Sequence, residues 1–158
     1  MTKVLLSAHV LGAILAVGSI AMAASLFPRY AKQAVTDDER ASGRAAGIAA
    51  LLHRVCRGYA VVGFVVPVFG LATGAQLGVL TDAWLIVSMI LTAVAAVMLA
   101  AVILPHQQRL LAMPRQDTGA EGLRAATSRL TMLTGIFNVL WSVVVVLMIV
   151  RPGSTTGA

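Results

Sequence analysis

Four long runs of this chain contain no Asp, Glu, Lys or Arg: residues 4–28, 58–81, 83–104 and 130–150. Each meets the roughly 20 apolar residues that a helix needs to cross a bilayer. None alternates with the period of two that a barrel strand shows. An unpaired strand edge in lipid leaves backbone groups unsatisfied, so these runs read as helices. The remaining sequence cannot supply a water-facing surface of ordinary polarity. Of the 158 residues, 59% are hydrophobic and 11% are charged, against about 25% charged in a soluble domain. A soluble globular protein, a disordered chain and a secreted disulfide scaffold are excluded. The expectation is an all-α, integral membrane four-helix bundle: one four-span transmembrane domain over residues 1–150 and a disordered tail over 151–158. Lys3 and the small residues 21–25 resemble a signal peptide, but the run is too long and its basic flank too thin, so the first span is expected to be retained.

Charge placement sets an expected orientation. Arg29, Lys32, Arg40, Arg44, Arg54 and Arg57 lie between the first and second spans, and Arg109, Arg115, Arg124 and Arg129 between the third and fourth. Only Lys3 and Arg151 fall on the other side, and the turn between the second and third spans carries the single charge Asp82. Basic residues favour the cytoplasmic face. The expectation is therefore a multi-pass protein of the cell membrane with both termini extracytoplasmic. Cys56 should then lie on the cytoplasmic side, where an impermeant maleimide reaches it only after lysis. The net charge of +6 matches anionic lipid. Basic residues interleaved with aromatics are missing, so nucleic acid is not expected as a partner. The expected partners are the lipid bilayer and other membrane proteins or a second copy.

The first inner loop holds the capping-box pattern Thr36-Asp37-Asp38-Glu39, with Thr36 as N-cap. It predicts a helix starting near Asp37 that merges with the second span or kinks near Gly58. The turn near residues 78–83 makes the second and third spans an antiparallel hairpin. The second inner loop opens at Pro105 and passes through Met113-Pro114-Arg115 and a polar run over 116–122; weak helical pieces are expected there.

Helices associate in lipid through small residues and a few interhelical hydrogen bonds. Each span carries such a stripe. The first has His9, Gly12, Ala16, Ser19 and Ala23; the second has Gly63, Pro67, Gly70, Gly74 and Gly78. The third has Ser88, Thr92 and Ala95 or Ala96; the fourth has Thr127, Thr131, Thr134, Asn138 and Trp141. Gly12, Gly63, Pro67, Gly70, Gly74 and Gly78 are the expected packing residues, and His9, Ser88, Thr134 and Asn138 the expected interior polar groups. Pro67 frees the carbonyl of Gly63, and Thr134 and Asn138 fall at the depth to satisfy that kink. For His9, Ser88 and Gln76 fall at a similar depth.

Little here carries chemistry. The spans hold no carboxylate of the kind proton-coupled carriers use, and one cysteine excludes a disulfide oxidase that works through cysteine pairs. His53, Cys56 and His106 share one side of the membrane and are weak candidates for a metal, but Arg54 and Arg57 flank His53 and repel cations. No metal site is expected. An axial haem pair needs two histidines at one depth, whereas His9 is near one end of its span and His53 and His106 are at the other. The seven methionines form no cluster to handle copper.

The opening His9-Val-Leu-Gly-Ala-Ile-Leu-Ala-Val-Gly18 and the basic approach from Arg54 into the Gly-rich half ending at Gly74 resemble an uncharacterised bacterial family of four-helix predicted integral membrane proteins. Its relatives are the copper-resistance D-like proteins and the HemJ-type protoporphyrinogen oxidases. The resemblance implies haem binding through a first-helix histidine, which only His9 matches. The Ala, Val, Arg and Gly bias looks like a high-GC bacterium. The leading expectation is a non-enzymatic membrane protein without cofactor, structural or accessory to a larger assembly. The alternatives are a haem- or copper-linked protein using His9, and a small transporter with a thin polar path.

Overall fold

A computed structural model describes residues 2–35, 38–113 and 120–153. Helix α1 covers Thr2–Gln33, α2 Glu39–Leu77, α3 Ala83–Val97, α4 Leu104–Ala112 and α5 Ala120–Val150, with a π-helical segment, Met98–Ile103, joining α3 to α4. Four helical stretches are long and apolar enough to cross a membrane: Lys3–Gln33, Glu39–Leu77, Ala83–Ala112 and Glu121–Val150. The architecture is the expected all-α four-helix bundle. Helix α1 packs along α2 on one side and α5 on the other; α5 also packs on α3, and α4 closes back onto α2.

The α1–α2 pair is antiparallel and held at every level. Gly12 faces Val66, and Gly70 faces His9. Further along, the Cys56 thiol lies 4.0 Å from the Ile20 carbonyl, and the Ser42 hydroxyl donates to the carbonyl of Ala34. Each step forward on α1 is matched by a step back on α2, so one register runs the length of the pair. The buried faces follow: Ala16, Ile20, Ala23, Ala24, Phe27 and Ala31 on α1, against Ala45, Ala49, Cys56 and Val66 on α2. Mostly alanine, this contact lets two backbones approach closely.

Helix α2 begins at Glu39, where Asp38 accepts from the N–H groups of Arg40 at 3.0 Å and Ala41 at 3.3 Å. The N-cap is thus Asp38, its extended backbone aiming the carboxylate at the open amides of the first turn. The expected cap Thr36, with Asp37, lies outside the described residues. The helix continues through Gly58 and Pro67 without a break, merging with the second span.

Gly78 ends α2 in a left-handed conformation, φ 69°, which a residue with a Cβ adopts only under strain. Its N–H bonds the Ala75 carbonyl, and the next N–H, of Val79, bonds that of Gly74. This is a helix-terminating motif, not a packing contact, and it corrects the expectation for Gly78: a Cβ there meets nothing within 4 Å. The same holds for Gly63, which faces open space. Beyond the turn, Val79, Trp84 and Leu85 form a small buried cluster with Met148. Asp82 accepts from the Trp84 indole at 3.1 Å, and the Arg151 guanidinium lies over the Trp84 ring.

Pro105 does not open a loop. The chain stays helical through it to Ala112, because the widened π turn before it makes room for a ring that would crowd an α-helical carbonyl. At the other end of the connection, residues 120–122 are already the first turn of α5. Residues 114–119 and the tail from 154 lie outside the described residues.

These contacts separate the glycines by consequence. A Cβ on Gly74 meets the Leu85 methyl at 3.0 Å and the Leu80 methyl at 3.3 Å. Gly74→Leu overpacks that contact, at a cost of about 1–3 kcal/mol, and should lower the thermal midpoint in detergent by several degrees. Gly63→Leu, into open space, should leave it unchanged. Equal midpoints for the two variants would contradict the packing around Gly74.

Candidate functional site

The bundle's polar groups gather in three places. The first is where His9 crosses α2. Its Nδ1 lies 2.9 Å from the carbonyl oxygen of Val66. A carbonyl only accepts, so Nδ1 is the donor. The ring reaches this carbonyl because Gly70, one turn on, has no side chain: a Cβ there falls 2.8 Å from His9 Cε1. Val66 in turn rests on Gly12, where a Cβ sits 3.2 Å from its methyl. His9 is half-buried, and its partner is a backbone carbonyl of the Pro67 turn. Ser88, expected near it in depth, is fully buried and donates within its own helix to the Trp84 carbonyl at 2.8 Å.

The second place lies at the other end, around Gln107 of α4, which is 0% exposed. Its Oε1 lies 3.0 Å from His53 Nδ1, and its amide N–H donates to Cys56 Sγ at 3.8 Å. The amide oxygen only accepts, so His53 is the donor. Gln107 thereby joins two groups of α2 to α4, and Cys56 extends the chain to α1 through Ile20. His106 turns away, donating from Nδ1 to the Val102 carbonyl of the π turn at 2.8 Å. Of the weak metal candidates, His53 and Cys56 thus share Gln107 as a partner, while His106 is engaged elsewhere. Among the described residues no three His, Cys, Asp or Glu side chains come together to hold a metal ion. Cys56 is 0% exposed, so its thiol cannot report membrane orientation by maleimide labelling as expected from sequence.

Gln107 is the residue that the sequence did not flag. The signal was present: Ser88, Ala95, Leu99, Ile103 and Gln107 are all buried and follow one another at helical steps. The stripe read for the third span ends at Ala95 or Ala96 because it follows small and polar residues, and Gln107 falls beyond Pro105, which reads as the opening of a loop.

The third place is α5. Thr127 and Thr134 are buried, with Leu130, Phe137 and Val144. Thr131 is exposed and Asn138 half-buried. The expected stripe therefore straddles two faces. Leu130, Phe137 and Val144, seven apart, claim the interior by apolar area and turn Thr131 and Asn138 toward the rim. Neither Thr134 nor Asn138 satisfies the Pro67 kink. Asn138 donates instead to Ser25 of α1 at 3.2 Å. Thr134 Oγ1, Asn138 Oδ1 and Trp141 Nε1 are buried without a partner among the described residues.

The family resemblance implies haem on His9. The residues do not fit an axial histidine pair. His9 is level with Val66, and His53 lies thirteen residues before Val66 on α2, about 20 Å along the axis. His106 sits at the His53 end, beside Gln107.

The His9–Gly70 contact is tested by a double-mutant cycle. Gly70→Ala places a methyl in the ring and should cost about 1–2 kcal/mol of stability in detergent, the range of a lost interhelical hydrogen bond. In a His9→Ala background the same substitution should be close to neutral. Additive costs would mean that the ring and Gly70 are not in contact.

Comparison with family models, with curated proteins and with solved structures finds no match to this chain.

Proposed function

We propose that this chain is a small, non-enzymatic integral protein of a bacterial cytoplasmic membrane, with both termini extracytoplasmic, acting as a structural or accessory subunit that binds another membrane helix. One observation carries this reading. Ser128, Thr131, Gly135, Asn138 and Ser142 follow one another at steps of three and four along α5, four of them exposed and Asn138 half-exposed. Gly135 has open space where a Cβ would be. Small and hydroxylated residues at this spacing let a second helix approach closely, and lipid tails gain nothing from them. The interior supports the same reading. His9, His53 and Gln107 are engaged in bonds between helices rather than converging on a reacting position.

The test is site-specific photocrosslinking in native membranes. A photoreactive residue at Ser142 should give an adduct with a second polypeptide, and one at Val94, exposed on α3, should not. Gly135→Leu should abolish the Ser142 adduct. No adduct at Ser142, or equal adducts at both positions, would overturn the accessory role.

A second reading is a haem-linked protein, favoured by the His9 tautomer. A ring that donates from Nδ1 to a carbonyl holds Nε2 ready as a ligand. Under the leading reading the purified full chain shows no Soret band. A Soret band lost in His9→Ala would replace that reading with this one.

Orientation has its own measurement. Gly43 is exposed with open space around it. In a Cys56→Ser background, Gly43→Cys should react with an impermeant maleimide only after spheroplasts are lysed. Labelling of intact spheroplasts would reverse the orientation.

A further inference from the structure

A shallow, open groove of about 420 Å³ lies on one face of α2 alone, lined by Arg54, Val55, Gly58, Tyr59 and Val62. Its position along the helix is informative. Gly58 lies nineteen residues before Leu77, the end of α2, or about 29 Å along the axis. A hydrocarbon core is about 30 Å thick. With the Gly78 turn at one boundary, Arg54 and Arg57 stand at headgroup depth on the other, and Gly58, Tyr59 and Val62 at the start of the acyl region. The groove therefore has a cationic mouth and an apolar floor in the order in which a phospholipid presents its phosphate and its chains.

Three features give the site its selectivity. Arg54 and Arg57 are both exposed, one helical turn apart, and neither has an ion-pair partner among the described residues. Their charge is left for a ligand to neutralise. Gly58 has nothing within 4 Å of where a Cβ would be, so the floor stays open beneath Arg54. Tyr59, half-buried, has no hydrogen-bond partner among the described residues, and a tyrosine at this depth donates well to a phosphate or ester oxygen.

We infer that this groove binds one anionic glycerophospholipid, its phosphate held by Arg54 and Arg57 and one acyl chain lying over Gly58 toward Val62. Charge complementarity selects the occupant. A zwitterionic headgroup brings its own cation to the two arginines, and a helix of another protein would leave both charges unpaired. The site is separate from the α5 stripe and does not depend on the accessory role.

The experiment uses the full chain in mild detergent, titrated with phosphatidylglycerol or phosphatidylcholine and read by native mass spectrometry. The phosphatidylglycerol adduct should exceed the phosphatidylcholine adduct about fivefold, the effect of roughly one arginine at a lipid surface. Arg54→Gln should remove most of that preference. Gly58→Leu keeps the charge but fills the floor, and should lower phosphatidylglycerol occupancy to a similar extent. Gly43→Ala, far from the groove on the same helix, should change neither; unchanged circular dichroism and elution volume show that each variant is folded. Excess inorganic phosphate should not displace the lipid. Equal binding of the two lipids, retention of the preference in both groove variants, or displacement by phosphate alone would overturn the site.

Discussion

The register between α1 and α2 is the constraint on which the rest of the bundle depends. It is set where two missing side chains meet two present ones: Val66 sits on Gly12, and His9 sits on Gly70. The histidine then reaches through the gap to the Val66 carbonyl. Sliding α2 so that Val66 stands where Gly70 does would press a side chain into the ring, and an imidazole N–H left unpaired in an apolar setting costs more than the bond contributes. Small residues alone would permit close approach at several registers; the His9 bond, the Val66–Gly12 contact and the polar contacts at the far end agree on one. At the far end the same register brings Cys56 to Ile20 and Ser42 to Ala34.

Given that hairpin, the placement of α4 follows from Gln107. A fully buried amide needs partners for both its oxygen and its nitrogen. His53 and Cys56, three residues apart on one face of α2, supply one each. The π turn before Pro105 allows this by carrying the helix past a proline that would otherwise end it. A polar side chain is thus delivered into the bundle from a segment whose sequence looks like a loop. A buried bridge of this kind specifies position more than it adds stability, because each member is expensive to leave alone.

How much of this could be read from the sequence depends on which physical term decides each feature. The four spans are decided by transfer from water over about 20 residues at a time, and the charge-free runs state that directly. The inward stripe of α1 is decided by small residues, and His9, Gly12, Ala16 and Ala23 name it. Gly63 and Gly78 share the spacing of Gly70 and Gly74, yet Gly63 meets nothing and Gly78 serves the turn. Spacing places a glycine on a face but does not say what stands opposite. The partner of His9 was not legible for the same reason: depth suggests side chains, whereas the acceptor is a backbone carbonyl that every residue possesses. On α5 the hydroxyl and amide stripe competes with Leu130, Phe137 and Val144; Thr127 and Thr134 share the interior with them, and Thr131 and Asn138, about 100° round the helix from Leu130 and Phe137, are turned toward the rim.

The two halves of the bundle are consequently held by different means. The α1–α2 contact is built on absent side chains and hydrogen bonds, so adding volume damages it. The α5 contact is built on large side chains, with Phe137 set edge-on to Trp141 at a centroid distance of 6.3 Å. Removing volume there opens a cavity and costs about 3–5 kcal/mol for a buried phenylalanine. The same helix carries all three buried polar atoms that lack a partner among the described residues. Its position is fixed mainly by apolar fit, with the Asn138 amide N–H bonded to Ser25 and the indole, the Thr134 hydroxyl and the Asn138 carbonyl oxygen left unpaired along the seam. The boundary between interior and outer face is therefore set by side-chain volume at Leu130, Phe137 and Val144, and polarity follows where volume puts it.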